Sequence, residues 1–174
     1  MPLLKLSVIL GGAASGKSRW AEGMLEATGR PLLYVATAEA RDGEMGARIA
    51  RHRARRGAQW RDAEAPLDPD AALMGAGAQE AVLLDCATLW LSNLLLAGED
   101  LSAAELRLFA ALDACAAPVA VVSNEVGMGV VPDTPLGRRF RDAQGGLNER
   151  LAQRAGLVVL VAAGLPLALK GSLP

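Results

Sequence analysis

The 174-residue chain is poor in most of the residues that would mark a metal-centred, disulfide-stapled or nucleic-acid-binding protein. It has one histidine, His52, which excludes a zinc site built on a histidine pair. Its two cysteines, Cys86 and Cys115, cannot frame a disulfide scaffold and have no metal-type partner spacing. Aromatic residues make up 3% of the chain, which disfavours an aromatic-rich β-sandwich. Eighteen Lys and Arg against nineteen Asp and Glu leave a net charge of -1, so no basic excess draws nucleic acid or an anionic membrane. No apolar run approaches the ~20 residues needed to span a bilayer. Leu157 to Ala163, one of the longest, stops well short of that, and the start of the chain carries no signal-type cleavage site. These absences set a cytoplasmic, reducing environment as the expectation, with neither membrane nor nucleic acid as partner.

What is present is ordinary globular material, 52% hydrophobic and 21% charged, and the length suits a single domain over residues 1–174. Short apolar runs alternate with longer helical stretches, the pattern of an α/β fold with a mostly parallel sheet and helices on both faces. Strands are expected at Lys5–Leu10, Leu32–Ala36, Ala81–Asp85, Val119–Ser123 and Leu157–Ala162, each rich in Val, Ile or Leu as fits strands covered on both sides. Helices are expected at Lys17–Ala27, Glu44–Arg56, Leu89–Ala97, Ala103–Ala114 and Leu136–Arg154. Ser102 with Glu105 suggests a capping box, and Gly29 a helix stop. Two segments read as irregular, Glu64–Pro69 and Val126–Pro135.

The sharpest motif is Gly11, Gly12, Ala13, Ala14, Ser15, Gly16, Lys17, Ser18, a match to G-x-x-x-x-G-K-[ST] between an expected strand and an expected helix. Glycines there let backbone N–H groups turn inward around phosphate oxygens, at the positive end of the following helix. Lys17 then reaches the terminal phosphates, and the Ser18 hydroxyl ligates Mg²⁺. A P-loop NTPase-like fold follows. Asp85, closing its apolar strand, fits the acid that holds Mg²⁺ through water, although it could simply cap the next helix. Glu125 offers a second carboxylate at a strand end, where open parallel sheets form their ligand crevice. With no N-K-x-D guanine-reading segment, a small-molecule kinase is the default.

One stretch exceeds that default. From Arg48 to Arg61 six arginines surround His52, and Met45, Ile49 and His52 would share a helix face. A solvated basic helix explains this. So does chemistry: a neutral imidazole can attack phosphorus to form a phosphoramidate, while guanidiniums stabilise the departing pyrophosphate. Crowding by arginine would help to keep that imidazole neutral near pH 7. Three readings stay open on the residues alone: a phosphate-loop kinase with a structural His52, an enzyme using His52 covalently, and a nucleotide-dependent binding switch without catalysis.

Taken together the segments resemble the bifunctional adenosylcobinamide kinase/adenosylcobinamide-phosphate guanylyltransferase family of cobalamin biosynthesis. The stretches that carry the resemblance are G-G-A-A-S-G-K-S at Gly11, Y-V-A-T-A at Tyr34, E-M-G-A-R-I-A-R-H-R at Glu44 and W-R-D-A-E at Trp60. They continue with L-L-D-C-A-T at Leu83, S-N-E-V-G-M-G-V-V-P at Ser123 and G-R-R-F-R-D-A-Q-G-G-L-N-E-R-L at Gly137. The resemblance implies that ATP or GTP phosphorylates the hydroxyl of adenosylcobinamide. GMP then passes from GTP, through a guanylylated histidine, to that phosphate. It implies His52 as nucleophile and a triphosphate held by Gly11 to Ser18. It places Ala36, Thr37, Ala38, Arg53, Ala54, Arg55, Arg56, Glu64 and Asp85 around the nucleotide, and it implies a homotrimer. Ala14 stands where many relatives carry Arg, and Arg51 where some have a second His.

Overall fold

A computed structural model describes residues 4–39, 43, 46, 47, 50, 53, 54 and 56–174. Seven strands are present among them: β1 (Leu6–Gly11), β2 (Leu32–Ala36), β3 (Trp60–Glu64), β4 (Ala81–Asp85), β5 (Val119–Asn124), β6 (Leu157–Ala162) and β7 (Leu165–Lys170). They form one sheet in the order β3-β2-β4-β5-β1-β6-β7. All pairings are parallel except β6 with β7, which closes as a hairpin. Ala163 and Gly164 make its turn with φ of 51° and 79°, the left-handed pair that two-residue hairpins favour.

The helices are α1 (Lys17–Glu26), α2 (Asp70–Met74), α3 (Ala87–Ala97), α4 (Leu101–Ala114) and α5 (Pro135–Arg154). Residues 43, 46, 47, 50, 53 and 54 are helical too, all but residue 43 inside the stretch expected as Glu44–Arg56. The face argument for Met45, Ile49 and His52 falls outside the described residues. Caps set several boundaries. The Asp100 carboxylate accepts from the N–H groups of Ser102 and Ala103, so α4 starts before the expected Ser102 box. Thr134 caps α5 ahead of Pro135 at the first turn, where a missing N–H costs nothing. Cys86 caps α3 through Sγ, so Asp85 is not the cap.

The sheet divides the core in two, as the α/β reading expects. On one face Ala21, Met24 and Leu25 of α1 pack on Ile9, Leu83, Val122 and Val159. On the other, Leu73, Trp90, Leu94, Leu108, Leu112, Leu147 and Leu151 from α2 to α5 cover Val8, Leu33, Val82, Leu84 and Val121. The central strands are apolar on both sides for that reason. No described helix is long and apolar enough to cross a membrane.

Candidate active site

Strand register assembles the site. Ala36 lies level with Glu64 on one side and Asp85 on the other, while Gly11 is level with Asn124. The expected site residues on β1 to β4 thus share the carboxyl edge of the sheet, where parallel α/β folds place ligands.

The phosphate loop runs from Gly11 into α1. A Cβ at Gly11 would collide with the Ser15 side chain and the Val161 carbonyl. Gly16 has φ 94°, and a Cβ there would also sit 3.2 Å from Gly164 Cα. Both positions therefore require glycine. The loop is braced from outside as well, since the Gly164 N–H donates to the Ser15 carbonyl at 2.8 Å. Ala14 takes the left-handed region at φ 55°. Lys17 is buried, and its Nζ donates to the Gly12 carbonyl at 3.0 Å, an ammonium folded back over the loop it serves. Ser18 lies partly buried in the first turn of α1. Ser15 Oγ is buried with no hydrogen-bond partner among the described residues.

At the end of β4, Asp85 Oδ2 accepts from the Tyr34 hydroxyl at 2.9 Å. Burial first, and the Asp85 charge second, push the Tyr34 phenol far above its ordinary range, so it stays a donor. Over the Tyr34 ring, 3.5 Å from its centroid, lies the Arg56 guanidinium. Arg56 is tied to Asp62 at 3.0 Å, and its Nη1 is buried with no partner among the described residues. Arg53 bonds Asp62 at 3.0 Å and Glu64 at 3.3 Å. The arginine segment is thereby attached to β3, and through Tyr34 to Asp85. His52 and Arg55 lie outside the described residues; Ala54 is helical and exposed.

Ala36 ends β2 and Ala38 follows it, partly buried. Thr37 between them is fully buried and turned inward. Its Oγ1 donates to the Cys86 carbonyl at 2.8 Å and accepts from the Cys86 N–H at 2.7 Å, locking the exits of β2 and β4 together. Burial pushes the Cys86 thiol up to about 11, which leaves it an inert neutral group; Cys86 and Cys115 are both free and buried. Glu125 accepts from the N–H groups of Gly127 and Met128, and Arg141 donates to the Gly127 carbonyl, so this carboxylate shapes the loop that follows. Trp90 is core, and Trp60 packs edge-on to Tyr34 at 6.1 Å.

Sequence reasoning missed a buried polar cluster beneath the end of β5. Gln144 and Asn148 sit one helical turn apart on α5, but nothing in the sequence says that this face of α5 meets Ser123. Fit to a divalent metal is favourable: the Ser18 hydroxyl and the Asp85 carboxylate are hard oxygen donors, and Tyr34 engages only one Asp85 oxygen.

Comparison with known proteins adds a second line. A family model described as cobinamide kinase / cobinamide phosphate guanyltransferase matches residues 7–169. The bifunctional adenosylcobalamin biosynthesis protein CobP of Pseudomonas aeruginosa is 48% identical over 167 residues, covering 94% of this chain and 96% of that one. The corresponding CobU proteins of Salmonella typhimurium and Escherichia coli are 41% and 39% identical over 179 residues, each covering 94% of this chain and 98% of the relative. Among solved structures, the RadB recombinase aligns with a TM-score of 0.49 at 16% identity, over 91% of this chain and 74% of that one.

Proposed function

The chain belongs to the cobinamide kinase / cobinamide phosphate guanyltransferase family, and from that premise we propose that one domain carries out both reactions. In the first, the hydroxyl of adenosylcobinamide takes the γ-phosphoryl group of ATP or GTP. In the second, an imidazole nitrogen of His52 forms a bond to the α-phosphorus of GTP and pyrophosphate leaves. A phosphate oxygen of adenosylcobinamide phosphate then displaces the histidine, giving adenosylcobinamide-GDP and free imidazole.

Backbone N–H groups of Gly11, Gly12, Ala13, Ala14, Ser15 and Gly16 hold the triphosphate, and Lys17 leaves the Gly12 carbonyl to meet the terminal phosphates. Ser18 and Asp85 would hold Mg²⁺, which when bound would supply charge to the phosphate oxygens. Ala36, Thr37 and Ala38 end β2 against the nucleotide, and Glu64 fixes Arg53. Arg53 to Arg56 stabilise charge on pyrophosphate and the transferred group, Arg rather than Lys because the planar fork meets phosphate bidentately.

The observation that supports this reading is the chain of contacts Arg56–Tyr34–Asp85, which ties an arginine four residues after His52 in the sequence to the carboxyl edge where the phosphate loop begins. In keeping with the family, the enzyme is a cytoplasmic homotrimer, for which sedimentation should give three times the 18.0 kDa chain mass.

GTP labelled at the α-phosphate tests the covalent step. With Mg²⁺, label should remain on the denatured chain, be lost in acid, survive base and vanish in His52→Ala. A chain that stays unlabelled while phosphorylating the corrinoid would be a single-step kinase with a structural His52. γ-Labelled ATP with adenosylcobinamide tests the first step and should yield a labelled corrinoid.

A further inference from the structure

We propose that Asn124, assigned no role above, accepts a hydrogen bond from the hydroxyl group that is phosphorylated, and so orients it for attack. The inference rests on the kinase reading of this site.

Position comes first. Asn124 ends β5 level with Gly11, where the phosphate loop begins, and the next residue's N–H donates to the Gly11 carbonyl at 3.1 Å.

Asn124 is also held with unusual care. Its N–H donates to Thr88 Oγ1 of α3 at 2.7 Å, and its carbonyl accepts from Asn148 Nδ2 of α5 at 3.0 Å. Those two clamps belong to a wider set. Ser123 Oγ donates to Asn148 Oδ1 at 2.6 Å, and Gln144 Nε2 donates to both Ser123 Oγ and Asn148 Oδ1 at 2.9 Å. Thr88, Ser123, Gln144 and Asn148 are all buried. A strand end needs no such apparatus, because water or a short turn satisfies its backbone groups. A buried polar network of this kind fixes geometry, and what it fixes here is the backbone of Asn124.

The clamped residue nevertheless leaves its own side-chain oxygen unsatisfied. Asn124 Oδ1 is buried with no hydrogen-bond partner among the described residues, as are Gln144 Oε1 and Ser15 Oγ, the last of which a Cβ at Gly11 would meet. Two of these orphaned oxygens, those of Asn124 and Ser15, belong to residues that neighbour Gly11 at the head of the phosphate loop. Each is costly in the free protein and is relieved when a ligand arrives. Their chemistry separates the ligands. A triphosphate brings acceptors, which suit the hydroxyl donor of Ser15. An amide oxygen needs a donor, and at the γ-phosphate end of the nucleotide, away from its ribose hydroxyls and base N–H groups, the alcohol that attacks there brings one.

In the step itself the alcohol oxygen forms a bond to the γ-phosphorus while the bond from that phosphorus to the bridging oxygen breaks. The nucleoside diphosphate leaves with the electron pair. The hydroxyl proton passes to a phosphate oxygen and then to water. Asn124 takes no proton; its amide only sets the direction of the O–H bond, so that a lone pair of the alcohol oxygen faces phosphorus.

The test is a cycle between Asn124→Leu, which keeps size and removes the acceptor, and a corrinoid whose arm carries hydrogen in place of the hydroxyl. Binding of both corrinoids is measured on the full chain with a non-hydrolysable ATP analogue. The natural protein should prefer the alcohol by roughly tenfold, and the variant should bind both equally. Its kinase kcat should fall while KM for ATP stays within about twofold. Asn124→Ala should behave the same way if Leu prevents folding, and Asn124→Asp, which keeps an acceptor, should retain the preference. A variant that still prefers the alcohol, or one that loses ATP affinity instead, overturns the assignment. A natural protein that phosphorylates no corrinoid hydroxyl overturns the kinase reading itself.

Discussion

The Tyr34 hydroxyl links two parts of the site, since it donates to Asp85 beneath a guanidinium that stacks on its ring. Tyr34→Phe removes the hydroxyl and keeps the stacking. It should cost about 1 kcal/mol in denaturant unfolding, with the Arg56 contact preserved. Cys86 gives a pH signature. Its folded thiol is raised from 9.0 to about 11 by burial, with the Asp85 charge second, so the neutral form is the one the fold holds. Its contribution to stability is complete below 9.0, where folded and unfolded thiols are both protonated. The contribution is lost as pH rises toward 11, because the unfolded chain ionises first. Unfolding free energies of the natural protein and Cys86→Ala, compared below 9.0 and near 11, should therefore converge at the upper pH. Thiol reagents should leave native Cys86 untouched below 9.0.

At the scale of elements, the joint between β2 and β4 is one hydroxyl, Thr37 Oγ1, bonded to both backbone groups of Cys86. Thr37→Val keeps the shape and strands a buried N–H and carbonyl, which should cost about 2 kcal/mol or more. Thr37→Ser should recover most of that in the same thermal melts. The elements also differ in how far their residues announced them. The central strands were legible because burial on both faces demands unbroken Val, Ile and Leu runs. β3 was not: Trp60-Arg61-Asp62-Ala63-Glu64 sits at a sheet edge with charged residues facing water. β7 carries Pro166 and exposes Leu165, Leu167 and Leu169, so no core pattern marked it. The start of α4 was misplaced because Asp100 competed with Ser102 for the cap, and local spacing does not decide between them.

Across the whole molecule the sheet separates two apolar layers and gathers the functional residues on one edge, so nucleotide binding should stabilise both layers together. At a nucleotide concentration of about 100 Kd the gain is about 2.7 kcal/mol, or roughly 5–10 °C for a chain of this size. Lys17→Met should abolish that shift in GTP and Mg²⁺ while leaving the melt of the nucleotide-free protein within a few degrees. The places of the phosphate-loop motif and of Asp85 at the ends of β1 and β4 were legible because each sits in contiguous residues beside an apolar strand. Asn124 was not, because its meaning comes from Thr88 and Asn148, which reach it only after α3 and α5 have docked.

The Gly164 N–H that grips the Ser15 carbonyl joins stretches translated far apart in time. A ribosome finishes the anion cradle early but delivers its brace only with the last hairpin. Until β6 and the turn after it have been made and laid against β1, the nascent loop lacks that outside contact.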